Sequence, residues 1–81
     1  MIIKILGSGC PKCNRLEQLA RDAVAELGAA AEFEHVRQMG EIMRYDIVST
    51  PALVIDEVVK CSGRLPQLDE IKGWIKAAQT A

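Results

Sequence analysis

Within its first 28 residues the chain changes from one hydrophobic period to another. Ile2-Ile3-Lys4-Ile5-Leu6 is a compact, largely β-branched run brought to an end by Gly7-Ser8-Gly9. Such a run reads as a buried strand. From Pro11 to Leu27 the apolar residues Leu16, Leu19, Ala20, Ala23, Val24 and Leu27 recur at i, i+3, i+4, i+7, i+8 and i+11. That spacing is the stripe of one amphipathic helix. Gly28 follows the last apolar position, where helices stop readily. Fully burying Leu16, Leu19, Val24 and Leu27 would contribute roughly 6–12 kcal/mol, an upper bound.

The remaining segments extend this strand–helix opening. Glu32–Val36 alternates like a strand and suits a sheet edge. The first two strands, joined by a helix, predict a parallel pair with a right-handed crossover. Gln38–Tyr45 reads as a short helix with Ile42 and Tyr45 inward. Ala52–Ile55 and Val58–Cys61 are β-rich runs separated only by Asp56-Glu57, the spacing of a hairpin, although the usual glycine is missing. Leu68, Ile71, Ile75 and Ala78 mark a last helix, with Pro66 just ahead of it. The expected order is β-α-β-α-β-β-α, an α/β fold with a four-stranded mixed sheet flanked by helices.

Size and charge narrow the function. At 81 residues the chain predicts one domain, 1–81, near the lower limit for a core without staples. The net charge of −1, with both signs interspersed, offers no footprint for nucleic acid. No apolar run reaches membrane-spanning length. The amino terminus lacks the basic n-region of a signal peptide. These features predict a cytoplasmic monomer that binds neither nucleic acid nor membrane. In that compartment three cysteines are better read as reactive or metal-binding thiols than as a disulfide framework.

Cys10-Pro11-Lys12-Cys13 carries the chemistry. Proline favours the first helical position and keeps the residue before it out of helical conformation. Cys10 is therefore expected at the N-cap, where unpaired N–H groups and the helix dipole favour a thiolate. Lys12 adds positive charge nearby. Cys13 stands three residues before Leu16 and so continues the buried stripe. One sulfur activated and the other sheltered within reach is the asymmetry of a nucleophile with its resolving thiol. The pattern points to thiol–disulfide exchange, with the Cys10–Cys13 disulfide as the only redox group. A metal-binding or metal-trafficking module using Cys10, Cys13 and Cys61 is the alternative. Structural zinc wants four ligands, and the remaining candidate is His35.

Gly9-Cys10-Pro11-Lys12-Cys13 after a strand, together with Ser49-Thr50-Pro51-Ala52-Leu53 opening a later one, resembles the thioredoxin/glutaredoxin superfamily. Within it the chain is similar to small glutaredoxin-sized members of archaea and anaerobic bacteria, known as redox-active disulfide proteins. The likeness spans nearly the whole chain and includes Lys12-Cys13-Asn14-Arg15-Leu16 and Ser62-Gly63-Arg64. It implies a minimal thioredoxin fold and a protein disulfide oxidoreductase that carries electrons from a flavoprotein disulfide reductase. By the same resemblance, Cys10 matches the nucleophile and Cys13 the resolving cysteine. Pro51 matches the cis-proline facing them. Thr50 matches the residue whose backbone pairs with substrate, and Gly63 a glycine that admits it.

Some positions depart from the superfamily. Gly9 replaces the thioredoxin tryptophan, and Lys4 replaces a buried acid. Cys61-Ser62-Gly63-Arg64 lacks the glycine pair and acid with which glutaredoxins hold glutathione. Asp46 stands where relatives have a turn glycine, and aspartate tolerates left-handed backbone. Outside the motifs, ordinary roles are expected. Cys61 reads as a small buried hydrophobe and His35 as a surface residue. Met39 and Met43 read as helix filling, Trp74 as partial packing. Lys4 reads as a solvent-reaching side chain on a thinly covered sheet face.

Overall fold

The computed structural model describes residues 1–7, 11–47 and 49–80. Its elements are β1 (Ile2–Leu6), α1 (Pro11–Leu27), β2 (Glu32–Val36), α2 (Met39–Ile42), a 3₁₀ turn (Met43–Tyr45), β3 (Ala52–Ile55), β4 (Val58–Ser62) and α3 (Leu68–Thr80). The strands lie in the order β2-β1-β3-β4. β1 runs parallel to β2 and antiparallel to β3, and β3 antiparallel to β4. β1 is thus central, and β2 forms an edge.

Strand alternation divides the core between the two faces. Ile3 and Ile5 of β1, with Leu53 and Ile55 of β3, meet Leu16, Ala20 and Ala23 of α1 and Ile71 and Ile75 of α3. On the other face Leu6, Ala52 and Val54 meet Ile42 of α2. One face therefore carries two long helices and the other one short one. Of the four large apolar residues on the α1 stripe only Leu16 is fully buried; Leu19, Val24 and Leu27 pack at the periphery. The full-burial figure overstates their contribution because a sheet this small cannot cover both flanks of a long helix. Trp74 packs on the same layer, partly buried.

The chain reversals follow local chemistry. Gly28 takes φ +63, and Ala29 N–H reaches back to Val24 O at 3.1 Å, closing α1. The 38–45 segment is not one helix: it tightens from α to 3₁₀ at Met43 and ends on Asp46, whose φ of 55 is left-handed. Asp56 and Glu57 both take positive φ, 48 and 68, which is the backbone of a type I′ turn. Neither is glycine, and tertiary contacts hold both. Asp56 Oδ1 accepts from Ile2 N–H at 2.8 Å, while Asp56 N–H donates to Ile2 O at 2.9 Å. Glu57 is held by Lys4. β4 extends one residue beyond Cys61, and a register shift lets Lys60 bulge between Val59 and Cys61. Among the described residues no helix is long and apolar enough to cross a membrane.

The start of α3 gives a pH-dependent prediction. Glu70 accepts from Gln67 N–H at 3.0 Å and pairs with both terminal nitrogens of Arg64, at 3.2 and 2.7 Å. The Arg64 guanidinium first, and the Gln67 N–H second, lower the Glu70 carboxyl from its ordinary 4.5 to about 2. A depressed carboxyl stabilises the fold above its unfolded pKa and loses that contribution as pH falls through its folded one. Glu70→Gln should therefore lower the melting temperature at neutral pH, and the gap should close between pH 4.5 and about 2. Thermal unfolding of both proteins across that range, at low salt, checks it. A gap unchanged at pH 2 would refute it.

Candidate functional site

α1 begins at Pro11, and Pro11 and Lys12 are exposed on its first turn. Cys10, expected at the N-cap, lies outside the described residues. Cys13, one position beyond Lys12, is fully buried. Helical side chains lean toward the helix amino terminus, which directs Cys13 to the end of β1.

Gly7 shows what surrounds that sulfur. A Cβ built on Gly7 would collide with Cys13 Sγ, and would stand 3.3 Å from Cys13 Cβ and 3.8 Å from Thr50 Cβ. The sulfur and Thr50 are therefore neighbours across the end of β1. Thr50 is exposed and Pro51 buried, and the peptide bond between them is cis. Gly63 closes the other side. Its N–H donates to Pro51 O at 2.9 Å, its φ is +74, and a Cβ there would collide with Ser49 Oγ. Any other residue at 63 would strain the backbone and displace Ser49. Cys13, Thr50, Pro51 and Gly63 thus converge at one end of the sheet, from α1, the entry to β3 and the exit of β4.

The thioredoxin-domain family model matches residues 1–76. A thioredoxin of Methanothermobacter thermautotrophicus is 43% identical over 72 residues, covering 89% of this chain and 94% of that protein. A thioredoxin of Methanocaldococcus jannaschii is 39% identical over 77 residues, covering 95% and 88%. The chain belongs to the thioredoxin family. Its element order and mixed sheet are a thioredoxin fold.

Other residues of this thioredoxin-family chain depart from what its sequence suggests. Lys4, in place of an acid, is folded over rather than reaching solvent. Its Nζ donates to Tyr45 Oη at 2.8 Å and lies 2.7 Å from Glu57 Oε1 and 3.8 Å from Glu34 Oε2, leaving the side chain 19% exposed. The Glu57 hydrogen bond, then that of Tyr45, pushes the Lys4 pKa up, and Lys4 holds the Glu57 carboxyl below its usual range. This positive charge is neutralised on the α2 face of the sheet.

His35 is not a surface residue. Its Nδ1 lies 2.9 Å from Glu17 Oε1, its side chain is 12% exposed, and its Nε2 is buried with no hydrogen-bond partner among the described residues. The reason is register: His35 stands opposite Ile5 and so faces α1. Burial works against ionised Glu17, but hydrogen bonds from His35 and Arg21 outweigh it and lower the carboxyl pKa.

Cys61 is a core thiol, 7% exposed and opposite Leu53. It donates to Arg64 O at 3.6 Å, and burial pushes its pKa up. Among the described residues no group of three or more His, Cys, Asp and Glu is placed to hold a metal ion.

Met39 and Met43 do not fill the core; they are 63% and 68% exposed. With Ile42, Ile47, Ser49 and Thr50 they line a groove of about 360 Å³. The signal was present in the sequence as two methionines spaced i, i+4 in a helical segment too short to bury both.

Proposed function

We propose that this chain, a thiol–disulfide oxidoreductase of the thioredoxin family, performs its chemistry with Cys10 and Cys13. The observation that carries the reading is the buried Cys13 sulfur lying beside Thr50 across Gly7. Cys10 precedes the proline that opens α1, the sequence position that favours a thiolate. Cys10 thiolate attacks a protein disulfide, forming one S–S bond to substrate and releasing the first substrate thiolate. Cys13 loses its proton to solvent and attacks Cys10 Sγ. The Cys10–substrate bond breaks, its electron pair leaves on the second substrate sulfur, and that thiolate takes up a proton. Two electrons have passed from the dithiol to the substrate. Thr50, exposed beside the thiol, offers backbone groups to an extended substrate segment.

The reductant in this reading is a flavoprotein disulfide reductase, acting on a monomer in the cytoplasm. Glutathione suits the site poorly. Arg64, the nearest arginine in sequence to Gly63, is held by Glu70 through two hydrogen bonds and is not a spare anchor for a carboxylate. An exposed cation alone holds a carboxylate by no more than about 1 kcal/mol.

Two measurements test the reading. Peptide mapping of the oxidised protein should find a Cys10–Cys13 disulfide, with Cys61 reduced. Turnover on a model protein disulfide should be faster with a thioredoxin-reductase system than with glutathione and its reductase. A dominant disulfide containing Cys61 would sink the residue assignment. Faster turnover with glutathione would sink the choice of reductant.

A further inference from the structure

Gly7 is buried at the end of β1, and its N–H donates to Val36 O at 2.9 Å. Its backbone is not among the positive-φ positions, so conformational freedom does not explain the glycine. Space does. An added methyl at Gly28, Gly40 or Gly73 would meet nothing within 4 Å, whereas at Gly7 it would overlap Cys13 Sγ. We propose that Gly7 is a positioning residue for the resolving thiol. Its missing side chain gives Cys13 Sγ a seat against the end of β1, beside Thr50, from which the sulfur closes onto Cys10. The inference rests on the reading of Cys10 and Cys13 as the redox pair.

The two redox states respond differently to a methyl at Gly7. In the dithiol, Cys13 has one torsion with which to move its sulfur away. A helix disfavours one of the three staggered positions at that torsion, leaving a single alternative well. In the disulfide, the bond to Cys10 fixes Sγ, and that escape is lost. The overlap therefore weighs on the oxidised form more than on the reduced one. Thr50 Cβ, at 3.8 Å from the same point, limits movement of the methyl in its direction.

The test is Gly7→Ala, made in the natural chain and in a Cys13→Ala background. In the natural chain the dithiol–disulfide equilibrium against a reference dithiol should move toward the dithiol by tenfold or more. Tenfold for this two-electron couple is about 30 mV. Release of substrate from the mixed disulfide should slow by a comparable factor. The stability lost on Gly7→Ala in the reduced chain should shrink in the Cys13→Ala background, where the colliding sulfur is absent. A purely structural glycine would cost the same in both backgrounds and leave the equilibrium unmoved; either result overturns the inference. If Gly7→Ala alone fails to fold, rescue by Cys13→Ala supports the inference, and failure in both backgrounds overturns it. A natural chain that forms no Cys10–Cys13 disulfide overturns the underlying reading, and shows this before any Gly7 variant is made.

Discussion

Cys13→Ser should leave the protein covalently joined to its substrate. Serine has nearly the shape of cysteine and occupies the same buried position, but its hydroxyl cannot close a ring onto Cys10 Sγ. The first half of the reaction proceeds, because Cys10 is unchanged, and the second stops. Solution thiols are a weak substitute. A well-oriented intramolecular group acts at an effective concentration of about 10⁵ M or more, far above millimolar thiol. Turnover on a protein disulfide should therefore fall by at least about a thousandfold. The adduct should be visible as an added mass that disappears on reduction. Turnover within tenfold of the natural protein would show that Cys13 is not the resolving thiol.

Ile5→Ala should come close to unfolding the domain. Ile5 is fully buried on the central strand, with His35 and Leu53 as its neighbours in register. It packs between α1 and α3, the better covered face. Removing a large buried aliphatic side chain costs about 2–5 kcal/mol. A domain of this length has roughly 4–12 kcal/mol in total. At about 4–8 °C per kcal/mol for a domain this small, the melting temperature should drop by roughly 8–40 °C. Ile2, three residues earlier and 39% exposed, is the control. Ile2→Ala should stay within about 0.5 kcal/mol of the natural chain. Equal losses at the two positions would contradict the assignment of core and surface along β1.

Elements whose signal is local were legible. The α1 stripe, the hairpin spacing and the last helix fall where periodicity puts them, because each repeats its apolar residues at the period of its own backbone. Asp46 takes the left-handed conformation that its side chain tolerates. The placement of some candidate-site residues was legible for the same reason. Cys13 lies on the stripe that also buries Leu16, and Thr50-Pro51 enters the hydrophobic run that becomes β3.

What escaped the sequence depends on residues far apart along the chain. Glu57 takes positive φ without glycine because Lys4, on another strand, holds it. His35 is covered because β2 pairs in a register that turns it toward Glu17 on α1. Met39 and Met43 stay exposed because one short helix is all that covers their face of the sheet.

Gly7 separates the two kinds of information most clearly. By sequence alone it ends a strand, as period and propensity determine, and it precedes Cys10-Pro11-Lys12-Cys13, which is read from residue identity and spacing. That its hydrogen atom, rather than a methyl, faces the Cys13 sulfur is decided only when α1 folds back over β1 and the Thr50 segment closes beside them. Steric exclusion acts over a few ångströms in space and has no period along the chain, so tertiary structure alone reveals it.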